Sequence, residues 1–395
     1  MVGKIRFSFV IILTALLFSG CSYMPDWFWI DDEEEISGYK EPDPGRLVAI
    51  DEEWDRGIEG EPDEYMSHPR QIAVTEEAVF VGTFEGLVVK VDKSRGKVIW
   101  ESELDSSVSG GVATDGSRVF AGTVAGNMVA LSRENGEKLW QSQVSTSVAS
   151  APLVVGGRVI FTTLNNRTYA LDVNSGKLLW THSSVPVALV VQGAATPTTN
   201  GRTVFVGYST GEVFALNLRE GKPLWGKNLS RLMGRSEIDR LHDVDGEVVV
   251  GPSGMDTPIP KVYVVNHQGS VMGIQSNGGV EVWKSKFSAI RRPLLWGNQL
   301  FVVNVEGQIV SISAKDGLEV WRTRISDGYL SAPVRFGDQI IVGDSKGRLF
   351  SIDPASGRVT GLNHLNDPII ATPVVDGSSL YIWTNEGDLI KYKAQ

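Results

Sequence analysis

The chain has 395 residues, a formal net charge of −10, a hydrophobic fraction of 42% and one cysteine. The acidic balance disfavours nucleic acid as a partner, because phosphate binding needs a basic patch and the sequence has no extended run of Lys or Arg. A single cysteine excludes an internal disulfide, so the stability of the fold must come from its packed core.

Residues 1–20 have the pattern of an export signal. Basic residues near the start precede an apolar run from Phe7 to Phe18, which is too short to span a membrane, and a Ser-Gly pair then leads to Cys21. This position favours lipidation of Cys21 over a role as a small buried side chain. More than one acyl chain would give stable anchoring.

Residues 21–44 are interpreted as a lipid-anchored flexible tether. They hold the cluster Trp27-Phe28-Trp29, an acidic run from Asp31 to Glu35 and two prolines. The acidic run suits a solvated spacer. The aromatic cluster either rests at the membrane interface or forms an ordinary apolar patch.

A 15-residue unit then repeats through the rest of the chain, which predicts a repeat architecture. The units begin at Gly86, Gly126, Asn166, Gly211, Gly269, Gly307, Gly347 and Gly387. Each unit has the pattern of a strand, a tight turn containing glycine and a second strand that usually ends on Trp. Two further apolar runs precede each unit, which makes four strands. The fourth position after the first residue is small in six units, whereas Lys90 and Lys391 occupy it in the first and last.

Four-stranded units of about 40 residues predict an all-β fold, an eight-bladed β-propeller over residues 45–395. The eighth unit stops at Gln395, before its fourth strand. The segment Leu47–Ile50, followed by Trp54, is therefore predicted to supply the outer strand of the last blade and to close the ring. Trp54 would join six equivalent tryptophans, with Gly361 in the eighth place.

Two consecutive connections are enlarged, from Trp180 to Pro197 and from Trp225 to Pro258. Both join the outer strand of one blade to the inner strand of the next, so both are predicted on one face of the disc. The first contains the apolar run Val185–Val191. The second mixes Arg, Leu and Asp between Arg231 and Asp245, which suits a protein interface. The alternatives are a strand extension inside the disc and a self-packed surface loop.

The pattern G-x-V-x-A-L-(D/N/S)-x-x-x-G-x-x-x-W resembles the tryptophan-docking repeat of PQQ-dependent dehydrogenase propellers. From its leader to its eighth blade, the chain resembles the BamB family, lipoproteins of the outer-membrane β-barrel assembly machine. That resemblance implies acylation of Cys21, an outer-membrane location facing the periplasm and a non-enzymatic scaffold. The implied partners are the barrel-forming subunit and, as a further class, unfolded outer-membrane proteins.

In that family the two enlarged connections contact the barrel-forming subunit. The residues of this chain at the corresponding contact positions are Leu189, Val191, Gln192, Arg240, Asp243 and Asp245. The match is close in the second connection. In the first, Gln192 stands where the family has an Arg, which bears on any ion pair made there.

Two other classes compete, a PQQ-type periplasmic oxidoreductase and a cell-wall or sugar-binding propeller. The PQQ enzymes are much longer and use a vicinal Cys-Cys pair and a Ca²⁺ site, whereas this chain has no second Cys. It also has no hydrolase motif and no His spacing typical of metal ligands, and the pair Asp243-x-Asp245 alone is a weak cation signal. Most tryptophans occupy the docking position rather than a sugar site. The sequence therefore predicts no enzyme activity and no cofactor.

Overall fold

The computed structural model describes residues 39–58, 71–185, 194–229, 248–252, 259–266, 270–289 and 291–395. Lys40–Gln395 form one compact unit. Its strands make eight antiparallel sheets of four strands each, so the predicted eight-bladed propeller is confirmed. Within these ranges, no helix has the length and apolar character needed to cross a membrane.

The strands of the first four blades follow the sequence repeat. Blade one contains β2 (Ala73–Val74), β3 (Ala78–Gly82), β4 (Leu87–Asp92) and β5 (Val98–Glu103). Blade two contains β6 (Val108–Thr114), β7 (Arg118–Thr123), β8 (Asn127–Ser132) and β9 (Lys138–Gln143). Blade three contains β10 (Leu153–Val155), β11 (Arg158–Thr163), β12 (Arg167–Asp172) and β13 (Leu178–Ser183). Blade four contains β14 (Thr198–Thr199), β15 (Thr203–Gly207), β16 (Glu212–Asn217) and β17 (Pro223–Asn228).

The other four blades have the same order, and the last one takes its outer strand from the N-terminus. Blade five contains β18 (Val249–Val250), β19 (Lys261–Asn266), β20 (Ser270–Gln275) and β21 (Glu281–Ser285). Blade six contains β22 (Leu294–Trp296), β23 (Gln299–Val303), β24 (Gln308–Ser313) and β25 (Glu319–Arg324). Blade seven contains β26 (Val334–Phe336), β27 (Gln339–Gly343), β28 (Arg348–Ile352) and β29 (Val359–His364). Blade eight contains β30 (Val374–Asp376), β31 (Ser379–Trp383), β32 (Asp388–Ala394) and β1 (Ile50–Gly57).

The hydrophobic core is a ring of eight clusters, one between each pair of neighbouring blades. In the cluster between blades six and seven, Phe301 and Ile309 pack with Ile340 and Phe350. The second and third strands of a blade are covered on both faces, which explains why β3 is buried at every position. Outer strands such as β5 instead alternate between exposed and half-buried side chains.

Seven tryptophans, one in each blade except blade seven, join their blade to the next. Each indole packs over the turn glycine of the following blade. These pairs are Trp54–Gly96, Trp100–Gly136, Trp140–Gly176, Trp180–Gly221, Trp225–Gly279, Trp283–Gly317 and Trp321–Gly357. The indole N–H also donates to a carbonyl beside that turn, as from Trp180 to Leu218 at 3.1 Å. Two features of this position require glycine. A side chain would collide with the indole ring, and the backbone has a positive φ, which is 69° at Gly221.

Replacing Gly221 by Ala is expected to destabilise the propeller more than replacing Gly201 by Ala. Both glycines lie in blade four with positive φ, so each substitution should cost about 1–2 kcal/mol for the left-handed conformation. A Cβ at Gly221 would also lie 2.5 Å from the Trp180 ring, whereas one at Gly201 meets nothing within 4 Å. Overpacking should add about 1–3 kcal/mol at Gly221 alone. Denaturant melts of the two variants measure the difference, and equal losses would contradict the docking role.

The N-terminal strand closes the ring as predicted. Strand β1 pairs antiparallel with β32, from Ile50 opposite Ala394 to Gly57 opposite Asp388, with a bulge between Glu52 and Trp54. The predicted strand segment Leu47–Ile50 lies mostly before β1. It covers blade seven instead, because a Cβ at Gly361 would lie 2.8 Å from the Leu47 oxygen and the Val48 backbone. Gly361 is the position of blade seven at which the other blades have their docking tryptophan. The N-terminal residues Leu47 and Val48 occupy the space that this side chain would need.

The two lysines that break the small-residue position each have a polar partner. The Lys90 ammonium donates to the Arg133 carbonyl of the next blade at 2.9 Å, and burial lowers the pKa of Lys90. Lys391 pairs with Glu53 on β1 at 2.6 Å. Lys391 thus adds an ion pair to the closing strand.

Residues 40–48, here called the N-terminal segment, run along the outer strand of blade seven. The Leu362 amide donates to the Arg46 carbonyl at 3.2 Å, and Arg46 Nε donates to the Thr360 carbonyl at 2.5 Å. Glu41 pairs with the buried Arg348 at 3.0 Å. Part of the stretch that the sequence assigned to the tether thus belongs to the compact unit.

Candidate functional site

The two enlarged connections emerge from adjacent blades on one face of the disc. At the end of the outer strand of blade three, the Ser184 amide donates to the Asn166 carbonyl at 3.0 Å, and in blade four the Leu229 amide donates to the Gly211 carbonyl at 2.8 Å. In both blades, the start of the connection thus sits beside the turn between the second and third strands. We call the face that carries these connections and turns the loop face.

The sequence-predicted site residues lie outside the described part of the chain. They are Leu189, Val191, Gln192, Arg240, Asp243, Asp245 and the lipidation candidate Cys21. The structure describes the residues at which the two connections begin, Ser184–Val185 and Leu229, and we call these residues and the turns beside them the base. Val185, the first residue of the predicted apolar run, is exposed there, with 66% of its surface accessible.

Asn166 holds the start of the first connection against two blades. It takes the place that glycine occupies in the other units and has a φ of 56°. Its side-chain oxygen accepts hydrogen bonds from the Ser209 amide (3.2 Å) and hydroxyl (2.8 Å) in blade four. Its side-chain nitrogen donates to the Val185 carbonyl at 3.3 Å. A left-handed Asn can therefore do here what glycine cannot, because it adds a side chain that ties the connection to the turns.

A polar chain lies below this base, between blades three and four. His182 Nδ1 lies 2.9 Å from the Tyr208 hydroxyl, which lies 2.8 Å from the Thr168 hydroxyl. Burial raises the pKa of Tyr208 well above its ordinary value and lowers that of His182. The two groups are therefore neutral near pH 7, and a hydrogen-bonded pair without charge braces the junction at no ionic desolvation cost.

Glu212 adds further hydrogen bonds at the start of the first connection. It accepts hydrogen bonds from Thr210 at 3.0 Å and from Ser184. Ser184 directly follows the outer strand of blade three, and Thr210 lies in the turn between the second and third strands of blade four. The start of the first connection is thus fixed by hydrogen bonds to both blades, which suits the rigid presentation of a loop.

Sequence analysis missed these supporting residues, although signals for them were present. Asn166 is the one departure from glycine among the eight unit starts. His182 follows its docking tryptophan by two positions, where the other units carry Arg, Asn, Lys, Ser or Thr. Both departures fall beside an enlarged connection. In the described residues no three His, Cys, Asp or Glu side chains are grouped to hold a metal ion.

Known proteins resemble this chain in sequence and in fold. Residues 84–323 match the sequence family described as outer membrane protein assembly factor BamB. The BamB of Pseudomonas aeruginosa is 46% identical over 258 residues, which are 65% of this chain and 64% of that relative. The crystal structure of BamB from Moraxella catarrhalis has a TM-score of 0.78 at 23% identity, covering 87% of this chain and 99% of that chain.

An oxidoreductase also shares the propeller. A quinohemoprotein alcohol dehydrogenase from Pseudomonas putida HK5 has a TM-score of 0.72 at 11% identity, covering 92% of this chain and 79% of its own. At that identity the likeness concerns the fold alone. The sequence family, by contrast, matches from the first repeat into blade six and includes both enlarged connections. The chain belongs to the BamB family of outer membrane protein assembly factors.

Proposed function

We propose that this chain is a non-enzymatic scaffold of the outer-membrane β-barrel assembly machine, anchored to the outer membrane through Cys21 and facing the periplasm. It binds the barrel-forming subunit with the loop face of blades three to five. The observation that carries this proposal is the pairing of two enlarged connections on adjacent blades of one face, in a member of an assembly-factor family. A closed propeller fixes the points at which the two connections start, which lowers the entropy lost when a partner binds there.

The contact residues proposed are those predicted from the sequence. Leu189, Val191 and Gln192 belong to the first connection, and Arg240, Asp243 and Asp245 belong to the second. Apolar anchors beside charged groups suit a small interface centre surrounded by a polar rim. The base built by Asn166 and Glu212 supports this assignment, because it fixes the point from which the first connection starts.

Unfolded outer-membrane proteins are a second proposed class of partner. Exposed aliphatic side chains recur in or directly before the outer strands of blades one to six. They are Val98, Ile99, Leu139, Leu178, Leu179, Leu224, Val280, Val282, Leu318 and Val320. An outer strand with apolar side chains can pair with an extended segment that adds one more strand to the sheet. This observation favours a direct contact with clients beside the contact with the machine.

A pull-down from outer membranes tests the main proposal. The lipidated chain, captured through a C-terminal tag in mild detergent, should retain the barrel-forming subunit. A matched capture of an unrelated outer-membrane lipoprotein should not. A correctly folded, lipidated chain that captures no barrel-forming subunit would overturn the scaffold, and quinone-dependent alcohol oxidation by the same preparation would favour the dehydrogenase alternative.

Substituting Cys21 by Ala is expected to remove the anchor while leaving the propeller intact. The thiol is the site that would carry the acyl chain, so the variant should lack acyl label and leave the outer-membrane fraction. The Cys lies outside the compact unit Lys40–Gln395, so the melting temperature of the folded domain should not change. Metabolic labelling with a tagged fatty acid and membrane fractionation measure both outcomes. Unchanged acyl label would contradict the anchor assignment.

A further inference from the structure

A basic cleft lies at the rim of the disc, between the outer strands of blades six and seven. It has a volume of about 810 Å³ and is bounded by the end of β25, the start of β29 and the N-terminal segment. Its cationic lining residues are Lys40, Arg46, Arg324 and Arg358. The one carboxylate in the lining, Asp43, accepts a hydrogen bond from the Gly45 amide at 2.9 Å. Four cations and one carboxylate give the lining a charge of +3, in a chain of net charge −10.

The N-terminal segment, which brings two of these cations, is fixed to blade seven. Arg348 binds Glu41 at 3.0 Å and is itself held by Asp344 and Asp327, each at 2.6 Å. The Val48 amide donates to the Asn363 side chain at 2.8 Å. Because both ends of the segment are pinned, Lys40 and Arg46 are held beside the cleft.

The equivalent cleft between another pair of blades is less basic, although Lys177 beside it has the repeat position of Arg358. The cleft between blades two and three has a volume of about 310 Å³ and no charged residue in its lining. Gln143 occupies there the repeat position of Arg324. The propeller repeat therefore does not require cations at this rim position. A different cleft, beside the outer strand of blade one, is lined by Glu85, Glu103 and Asp105, so basic character is not general either.

We propose that the basic cleft binds the phosphate group of an anionic membrane lipid. Guanidinium groups match the geometry of phosphate oxygens, and several cations around one concave site raise the local concentration of anions. The lipid source follows from the position of the cleft, and it rests on the proposed anchoring through Cys21. Lys40 is 19 residues from Cys21, so even a fully extended chain could not carry the cleft farther than about 65 Å from an acylated Cys21. An acyl anchor would thus confine the cleft to the neighbourhood of a leaflet.

Lipid binding at this rim would orient the disc on the membrane. The junction of blades six and seven lies two blades away from the second enlarged connection and three blades away from the first. The rim could contact lipid while the loop face of blades three to five stays available to a protein partner. One point of attachment to a membrane does not fix the orientation of a disc, whereas an acyl anchor together with a second contact does.

Vesicle binding by the unacylated mature chain, from residue 22 onward, tests the proposal without the anchor. The chain should sediment with vesicles of phosphatidylcholine and phosphatidylglycerol at 3:1 but not with phosphatidylcholine alone, and added salt should release it. The double variant Arg324→Gln with Arg358→Gln should bind at least about tenfold more weakly, since each cation near an anionic surface contributes about fivefold. Gln at 324 copies blade two, so the fold should tolerate it.

A matched control carries the same change in charge elsewhere. Lys177→Gln with Arg202→Gln removes two exposed cations, and Lys177 has the repeat position of Arg358 in blade three. This variant should bind as the wild type does. Equal losses in the two double variants, or no sedimentation of the wild type, would overturn the proposal. Arg358→Glu, a single change at an exposed position that also removes two units of positive charge, should weaken binding by a factor similar to that of Arg324→Gln with Arg358→Gln, and its melting temperature checks that the fold persists.

A test with inorganic phosphate distinguishes the two possible ligands of the cleft, a lipid phosphate and a soluble phosphate. If millimolar phosphate raises the melting temperature of the wild type but not of the double variant, while vesicles are not bound, the cleft takes a soluble phosphate and the lipid assignment is wrong. Competition of phosphate with vesicle binding supports the lipid assignment. A failure of Cys21 acylation in cells would leave these results unchanged, so the anchor and the cleft can fail separately.

Discussion

Deletion of residues 45–56 should lower the melting temperature sharply, whereas deletion of residues 22–40 should not. The first deletion removes most of β1, which leaves the β32 edge of blade eight open. It also removes Trp54, which docks on Gly96 of blade one, and the buried Val48 and Ile50. Trp54 is partly buried, so its loss should cost less than the roughly 3–5 kcal/mol of a fully buried tryptophan, but the loss of Val48 and Ile50 adds to it. A domain has about 5–15 kcal/mol of stability in total.

The control deletion stops before Glu41, so the contact with Arg348 and all of β1 remain. Thermal melts followed by circular dichroism measure both variants, and dye binding should report the open edge of the first. Equal melting temperatures for the two deletions would contradict closure by the N-terminal strand. Loss of stability in both would place a structural role in residues that we interpret as tether.

Removal of the charges of the second connection should weaken capture of the barrel-forming subunit by more than tenfold. The variants are Asp243→Ala with Asp245→Ala, and separately Arg240→Ala. A buried charge stripped of its partner typically costs about 2–5 kcal/mol, and each factor of ten in affinity corresponds to about 1.4 kcal/mol. The substituted positions fall between β17 and β18 in the sequence, so removal of their charges should leave the described blades unchanged and the melting temperature should change little. Binding of purified partner to the immobilised chain gives the affinity.

A matched control removes carboxylates from the same face in other blades. Glu306 and Glu386 are exposed in the turns between the second and third strands of blades six and eight, so Glu306→Ala with Glu386→Ala should bind normally. Asp327 is unsuitable for this purpose, because it pairs with Arg348 at 2.6 Å and with Lys346 at 3.0 Å. Normal binding by the variants of the second connection, together with weak binding by the control, would show that the partner face is misassigned.

The sequence by itself determined the architecture of this protein. The unit recurs along the chain with its internal spacing preserved, and the docking tryptophan of one unit contacts the turn glycine of the next, so the two residues recur together in the sequence. Closure was predictable for a related reason. The eighth unit lacks its fourth strand, and a strand-forming segment precedes the first unit, so pairing of the two was a natural prediction. The strand that closes the ring is Ile50–Gly57, most of which lies after the apolar segment on which the prediction was based.

Sequence patterns also located the enlarged connections, because an insertion is visible against a regular period. They did not locate what supports them. The bonds from Asn166 to Ser209 and from His182 to Tyr208 join different blades. Such contacts depend on how neighbouring sheets face each other. Departures from the repeat mark Asn166 and His182 in the sequence, but spacing along the chain does not identify their partners.

The tertiary structure alone decided two further features. In the sequence, Gly361 is a repeat position at which the expected tryptophan is absent. Only the tertiary structure shows that Leu47 and Val48 occupy the space of that tryptophan. The basic cleft was equally hidden. The sequence has no extended basic run, yet the fold gathers Lys40 and Arg46 with Arg324 and Arg358. Ring closure causes both, because it places the N-terminal segment against blade seven, some 300 residues away along the chain.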